Sequence, residues 1–187
     1  LSYRAILGVV RQPQVWAPSM FFPLFFAALN TAALGRSTQL PGFPAADSFL
    51  DFMLPATLVQ GVLFGGVSAA SEVAQDIESG FFERLVAAPT SRVSILLGRL
   101  AGAAFLGAMQ ATLFLTIFTL FGVEVKAGIG GIVVLVIVGA LMALSIGTIG
   151  GAMALRTGSV EAVQGAFPLV FISLFLSSAF FPTELMH

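Results

Sequence analysis

Five stretches of this 187-residue chain carry no charged side chain: 12–35, 52–71, 100–123, 127–155 and 162–183. The 8 basic and 9 acidic residues all fall in the short segments outside them. A mostly apolar run of about 20 residues, rising ~1.5 Å per residue, is long enough to cross a bilayer core of about 30 Å. One such run is compatible with a buried helix, but five in succession specify an integral membrane protein. A transmembrane barrel would instead show alternating segments of about 10 residues, and a lone helix satisfies its own backbone in lipid. The expected fold class is therefore all-α: one polytopic membrane helical bundle, with spans near 14–35, 52–72, 96–121, 129–154 and 162–181.

Composition supports the same class. The chain is 58% hydrophobic and 9% charged, against roughly 25% charged in soluble domains. It has no cysteine, which excludes a disulfide framework, thiol catalysis and a thiolate metal site. The one histidine, His187, is the last residue and offers no ligand set. Arg4 and Arg11 precede the first run, as they would in a cleaved signal. Its 24 uncharged residues exceed the ~7–15 of a signal's apolar region, and no A-x-A site closes it, so a retained span is expected. The chain begins with Leu1, and the natural protein is expected to extend further at that end.

Successive connections must alternate sides, so the positive-inside rule can be applied by summing each side. One side receives Arg4, Arg11, Arg84, Arg92, Arg99 and Arg156, and the other only Arg36 and Lys126. This asymmetry places the N-terminus and the 72–99 connection in the cytoplasm of a multi-pass inner or plasma membrane protein. Ahead of the first span, Tyr3, Ile6, Leu7 and Val10 recur at helical spacing with Arg4 and Arg11 on another face. An interfacial amphipathic helix over 1–11 is expected, lying on the lipid bilayer. Gln12-Pro13 breaks it, and Trp16 sits where an interface anchor belongs. Residues 36–51 and 122–128 form external connections too short for a domain, and no internal repeat is present.

The 72–92 connection stands apart from the others in its charge content. Ile77, Phe81, Phe82 and Leu85 follow helical spacing, with Asp76, Glu78, Glu83 and Arg84 off that stripe. The pattern predicts a short amphipathic surface helix over 76–88, ended by Pro89. Gly80 inside such a helix would cost up to about 1 kcal/mol relative to alanine, which points to a packing or bending purpose. Pattern alone leaves two readings open, a solvated connection touching lipid and a docking element that transmits force from a soluble partner.

Several chemistries are missing from the sequence. A phosphate-binding loop ends in Gly-Lys-Ser/Thr, and the single lysine, Lys126, follows Val125. No metalloprotease or serine-hydrolase motif occurs, so no catalytic, cofactor-binding or metal site is expected in this chain. Ion-coupled carriers place ionisable groups at membrane depth, and the five uncharged cores have none. Asn30, Gln60 and Gln110 are the amides in or near spans, suited to bonding between helices or lining a substrate route. Gly61-x-x-x-Gly65, Gly98-x-x-x-Gly102 and Gly147-x-x-x-Gly151 have the spacing that lets helices approach closely, set against a background of 20 glycines.

Asp76-Ile-Glu78-Ser-Gly80-Phe-Phe-Glu83-Arg84-Leu85, followed by Ala88-Pro89-Thr-Ser-Arg92 and Leu97-Gly98-Arg99, resembles the cytoplasmic signature of type-2 ATP-binding-cassette (ABC) exporter permeases. The daunorubicin and multidrug-resistance group is the nearest. Gln164-Gly-Ala-Phe-Pro168, leading through Phe175-Leu-Ser-Ser-Ala-Phe-Phe-Pro182, is similar to that family's fifth span and its external exit. The resemblance implies a membrane subunit that exports a hydrophobic or amphipathic substrate of drug, lipid or glycan type. Its partners would be an ABC ATPase, holding ATP and Mg, and a second permease copy in a homodimer or heterodimer, with no nucleic acid. ATPase coupling would fall to Asp76, Glu78, Gly80, Phe81, Phe82, Glu83, Arg84, Pro89 and Arg92, together with the N-terminal helix. The family has six spans, so the sixth is expected to be missing from this chain, which ends at Leu185-Met-His187. An ion-coupled secondary transporter and a non-transporting membrane scaffold are the alternatives.

Overall fold

The computed structural model describes residues 13–39, 48–88, 91–166, 168–169 and 171–172, and of residues 13–15, 37, 92 and 96 the backbone alone. The expected 1–11 helix with Arg4 and Arg11, the loop around Pro41 and Pro44, Pro89, and most of the fifth expected span lie outside the described residues. Within them the chain is helical, in the order α1 (Pro13–Leu34), a 3-10 turn (Gly35–Gln39), α2 (Phe49–Glu78), α3 (Phe81–Ala87), α4 (Arg92–Leu120), α5 (Gly128–Thr157) and α6 (Val160–Gly165). Four of these, α1, α2, α4 and α5, are long and apolar enough to cross a membrane.

Local chemistry sets the ends of each helix. Ser48 caps α2 by accepting the Asp51 N–H at 3.2 Å, while its hydroxyl donates to Asp51 Oδ2 at 2.7 Å. This reciprocal arrangement satisfies an orphan donor and places a carboxylate at the positive end of the helix dipole. Ser91 caps α4 by accepting the Ser94 N–H at 3.1 Å. At the other end of α2, Gly80 takes the left-handed conformation, φ 68°, which a side chain would disfavour. Ser79 and Gly80 donate back to Gln75 and Ile77 carbonyls at 2.9 and 3.0 Å, closing the helix. Gly158, φ 63°, ends α5 in the same way.

α2 is the centre of the bundle and packs against α1, α4, α5 and α6, while α4 also packs along α5. One apolar core joins Met20 of α1, Met53 and Leu58 of α2, and Leu106, Phe114 and Phe118 of α4. Between this core and the opposite end, glycines let the helices nearly touch. The place a Cβ would occupy at Gly61 is filled by the Phe114 ring, and at Gly65 it lies 2.6 Å from Gln110 Oε1. Gly66 stands against Ile146, Gly150 against Ala70, and Gly107 against Ala143 and the Gly139 carbonyl.

The outside of the bundle is as apolar as its inside. Phe21, Phe25 and Leu29 of α1 and Ile129, Val133, Val134, Ile137 and Leu141 of α5 are all exposed. Apolar surface on this scale, much of it on the least buried helix, suits hydrocarbon as the solvent and not water. The protein is therefore a multi-pass membrane helical bundle.

Candidate functional site

Apart from Pro89, which lies outside the described residues, the expected coupling residues gather at the end of the bundle that bears Arg84, Arg99 and Arg156, but not on one helix. A single helix over 76–88 is replaced by two, divided at Ser79 and Gly80. Gly80 is thus not interior to a helix: it is the left-handed junction between α2 and α3, and an added Cβ there would meet nothing within 4 Å. Periodicity missed the break because residues 77, 81, 82 and 85 keep apolar spacing across it.

Asp76 and Glu78 belong to the last turn of α2. Asp76 is ion-paired with Arg99 Nη2 of α4. Both side chains are only partly solvated, 32% and 27% exposed, and Arg99 Nε is buried without a hydrogen-bond partner. Glu78, on the other side of the same turn, accepts the Val160 N–H of α6 at 2.8 Å through Oε1. Between them Ile77 lies against a second apolar cluster built by Ala70, Val73, Ala74, Ala154 and Val163. One turn is therefore held by a charge pair, a charge-assisted hydrogen bond and apolar packing.

α6 begins with a compact cap. Ser159 Oγ accepts the Ala162 N–H at 3.3 Å and donates to Glu161 Oε2 at 2.7 Å. The hydroxyl's hydrogen bond favours the ionised form, so the exposed Glu161 carboxyl is held below the usual carboxylate range.

α3 contrasts with the turn that precedes it. It buries no residue. Phe82 and Leu85 are half-buried, whereas Phe81, Glu83, Arg84 and Val86 are exposed, Phe81 at 43% and Val86 at 39%. Ala88 ends it in extended geometry, ψ 153°, as the residue before a proline requires. Arg92 is the first residue of α4.

The remaining candidates lie deeper. Gly61 and Gly65 face α4, Gly98 and Gly102 are buried in α4, and Gly147 would bring a Cβ to 3.3 Å from that of Ala103. Gly151 has nothing within 4 Å of an added Cβ. The close contacts of Gly66, Gly107 and Gly139 were not singled out from sequence. Gly66-x-x-x-Ala70, Gly107-x-x-x-Ala111 and Gly139-x-x-x-Ala143 carried the signal, because alanine serves the same spacing. Gln110 is fully buried and donates to Ser19 Oγ at 2.8 Å, joining α4 to α1. Gln60 is buried with its Nε2 unpartnered, and Asn30 donates to its own helix, at the Phe26 carbonyl, 2.8 Å. Among the described residues no cluster of acidic and histidine side chains could hold a metal ion.

Comparisons with known proteins agree with this architecture. The profile of a family described as "ABC-2 family transporter protein" matches residues 13–187. The chain is also similar to the daunorubicin resistance ABC transporter permease protein DrrB1 of Streptomyces coeruleorubidus, at 26% identity over 187 residues, covering 98% of this chain. It spans 64% of that relative's length. No solved structure matches it. Both the matched profile, which reaches from the start of α1 to the last residue, and the apolar helical bundle place this chain as a member of the ABC-2 transporter family.

Proposed function

We propose that this chain is the membrane-spanning permease part of an ATP-driven exporter, with α3 as the element against which the ATPase docks. The observation that carries the reading is α3 itself: a short helix between two long apolar ones, burying none of its residues and exposing Phe81 and Val86 beside Glu83 and Arg84. Exposed aromatic and aliphatic side chains rimmed by charge are the composition of a docking patch. Family membership supports the same reading, and the positive-inside rule applied to the arginine-rich connections favours the cytoplasmic side for α3, where ATP is available. The cargo is hydrophobic or amphipathic, and a second permease copy completes the pathway. ATP and Mg belong to the partner.

The test is co-purification of the full-length protein with the ATPases encoded beside its gene, followed by ATP-dependent uptake of a fluorescent hydrophobic cation into inverted vesicles. Recovery of an ATPase, lost on Phe81→Ser with Glu83→Ala and Arg84→Ala, supports the reading. Uptake driven by an ion gradient without ATP would establish a secondary carrier instead. Recovery of no ATPase by the parent protein overturns the proposal.

A further inference from the structure

Asp76 and Glu78 sit in the sequence motif whose resemblance implies ATPase coupling, yet their side chains are engaged within the bundle. Two residues apart on a helix, they point about 200° from one another, so one turn reaches two neighbours at once. Asp76 is paired with Arg99 of α4, and Glu78 accepts the first N–H of α6. Ile77 between them is packed on the cluster of Ala74, Ala154 and Val163 that also belongs to α5 and α6. Directly beyond this turn come Ser79 and the left-handed Gly80, and then α3 with no buried residue. A surface helix that is loosely seated thus hangs from a turn that is tied to three others.

We propose that Asp76, Glu78 and Arg99 are positioning residues that latch the last turn of α2 to α4 and α6, so that a displacement of α3 is delivered through Gly80 to both helices. The proposal rests on the exporter reading and deepens it: docking belongs to the exposed face of α3, and transmission to the latch. Each bond has a separate target. The Asp76–Arg99 pair carries motion into α4, which traverses the bundle, and the Glu78–Val160 bond carries it into α6. A merely structural cluster would need only the apolar contacts. The charged groups add direction, because an ion pair or a carboxylate–amide bond holds two specific atoms, whereas apolar contact slides.

These 187 residues contain no cysteine, so labels placed in them are read directly once any cysteine elsewhere in the full-length protein is replaced by serine. Spin labels are placed on the exposed positions Ala87→Cys at the end of α3 with Leu97→Cys of α4, and Ala87→Cys with Gln164→Cys of α6. Distance distributions are measured on the full-length protein in nanodiscs, first alone and then with its ATPase, with and without a non-hydrolysable ATP analogue. The unmodified latch is expected to give single narrow distributions in both pairs. Asp76→Asn and Arg99→Gln should broaden the 87–97 distribution, and the exchange Asp76→Arg with Arg99→Asp should narrow it again. Glu78→Ala should broaden the 87–164 distribution, while Glu78→Gln, whose amide oxygen still accepts the Val160 N–H, should keep it narrow.

ATPase recovery should stay at the parental level in every one of these variants, while the nucleotide-dependent shift of the α4 or α6 label is lost. Unchanged distributions in Asp76→Asn and Glu78→Ala overturn the latch. Loss of ATPase binding by Glu78→Gln and Glu78→Ala alike also overturns it, since that pattern marks a docking charge. Failure of the parent to recover an ATPase sinks the exporter reading alone, and the protein-only measurements still decide whether the latch exists.

Discussion

Gln110 donates through Nε2 to Ser19 Oγ at 2.8 Å, joining α4 to α1 inside the bundle. The Ser19 hydroxyl in turn donates to the Trp16 carbonyl at 2.6 Å. The chain of bonds is therefore directional, and its two ends are not equivalent. Ser19→Ala leaves the buried Gln110 amide with no partner at either atom, because Oε1 is already unpartnered. Gln110→Met removes the need instead and leaves Ser19 bonded to its own helix. Interhelical hydrogen bonds in membranes contribute on average about 0.6 kcal/mol and at most about 1.7, and an orphaned buried group costs more than a deleted pair. Ser19→Ala should destabilise more than Gln110→Met in denaturant titrations in bicelles. Equal or reversed losses would show that the bond is not formed.

Gly61 and Gly151 share a family of spacings but not an environment. A methyl at Gly61 falls on the fully buried Phe114 ring, whereas one at Gly151 meets nothing within 4 Å. Overpacking of this kind typically costs about 1–3 kcal/mol. Gly61→Ala should lower stability by that order. Gly151→Ala should be neutral or slightly stabilising, since alanine is the better helix former by up to about 1 kcal/mol. The same bicelle titration compares the two.

Gly80 discriminates between one helix and two. Were 76–88 continuous, Gly80→Ala would stabilise it; at φ 68° the left-handed backbone makes alanine unfavourable by roughly 1–2 kcal/mol. Gly80→Asn should cost less than Gly80→Ala, because asparagine tolerates this region better. The expected readout is faster trypsin cleavage after Arg84 in Gly80→Ala, as the α2–α3 junction loosens. Slower cleavage would argue for a continuous helix.

Ser159 fixes the charge of Glu161. With its carboxyl held low in the folded protein, the stabilisation from this hydrogen bond is fully present above the ordinary glutamate pKa of about 4.3 and is lost as pH falls through the lowered value. Ser159→Ala should move the Glu161 titration upward toward the ordinary value, observed by carbon NMR of labelled glutamate. An unmoved titration would place the cause elsewhere.

The reach of α2 shows why charge marks a span but not a helix. Glu72, Asp76 and Glu78 end the uncharged run, yet the helix continues to Glu78. Charge is excluded from hydrocarbon by solvation cost, whereas a helix stops where its backbone turns. That turn is Gly80. The partners of Asp76 and Glu78 lay beyond any spacing rule, being 23 and 82 residues distant in sequence. Short-range features were readable: the end of α3 before Pro89 follows from proline's effect on the residue ahead of it.

The sequence by itself determined the solvent in which this protein folds and the family to which it belongs. Uncharged runs and a compact signature suffice for both, because solvation acts residue by residue and a motif is local. Tertiary structure decided which glycines touch, which amide is satisfied, and that Asp76 and Glu78 face their own bundle. Those outcomes depend on helix rotation and register, which are fixed only when α2, α4, α5 and α6 are packed together and each buried group must find a partner.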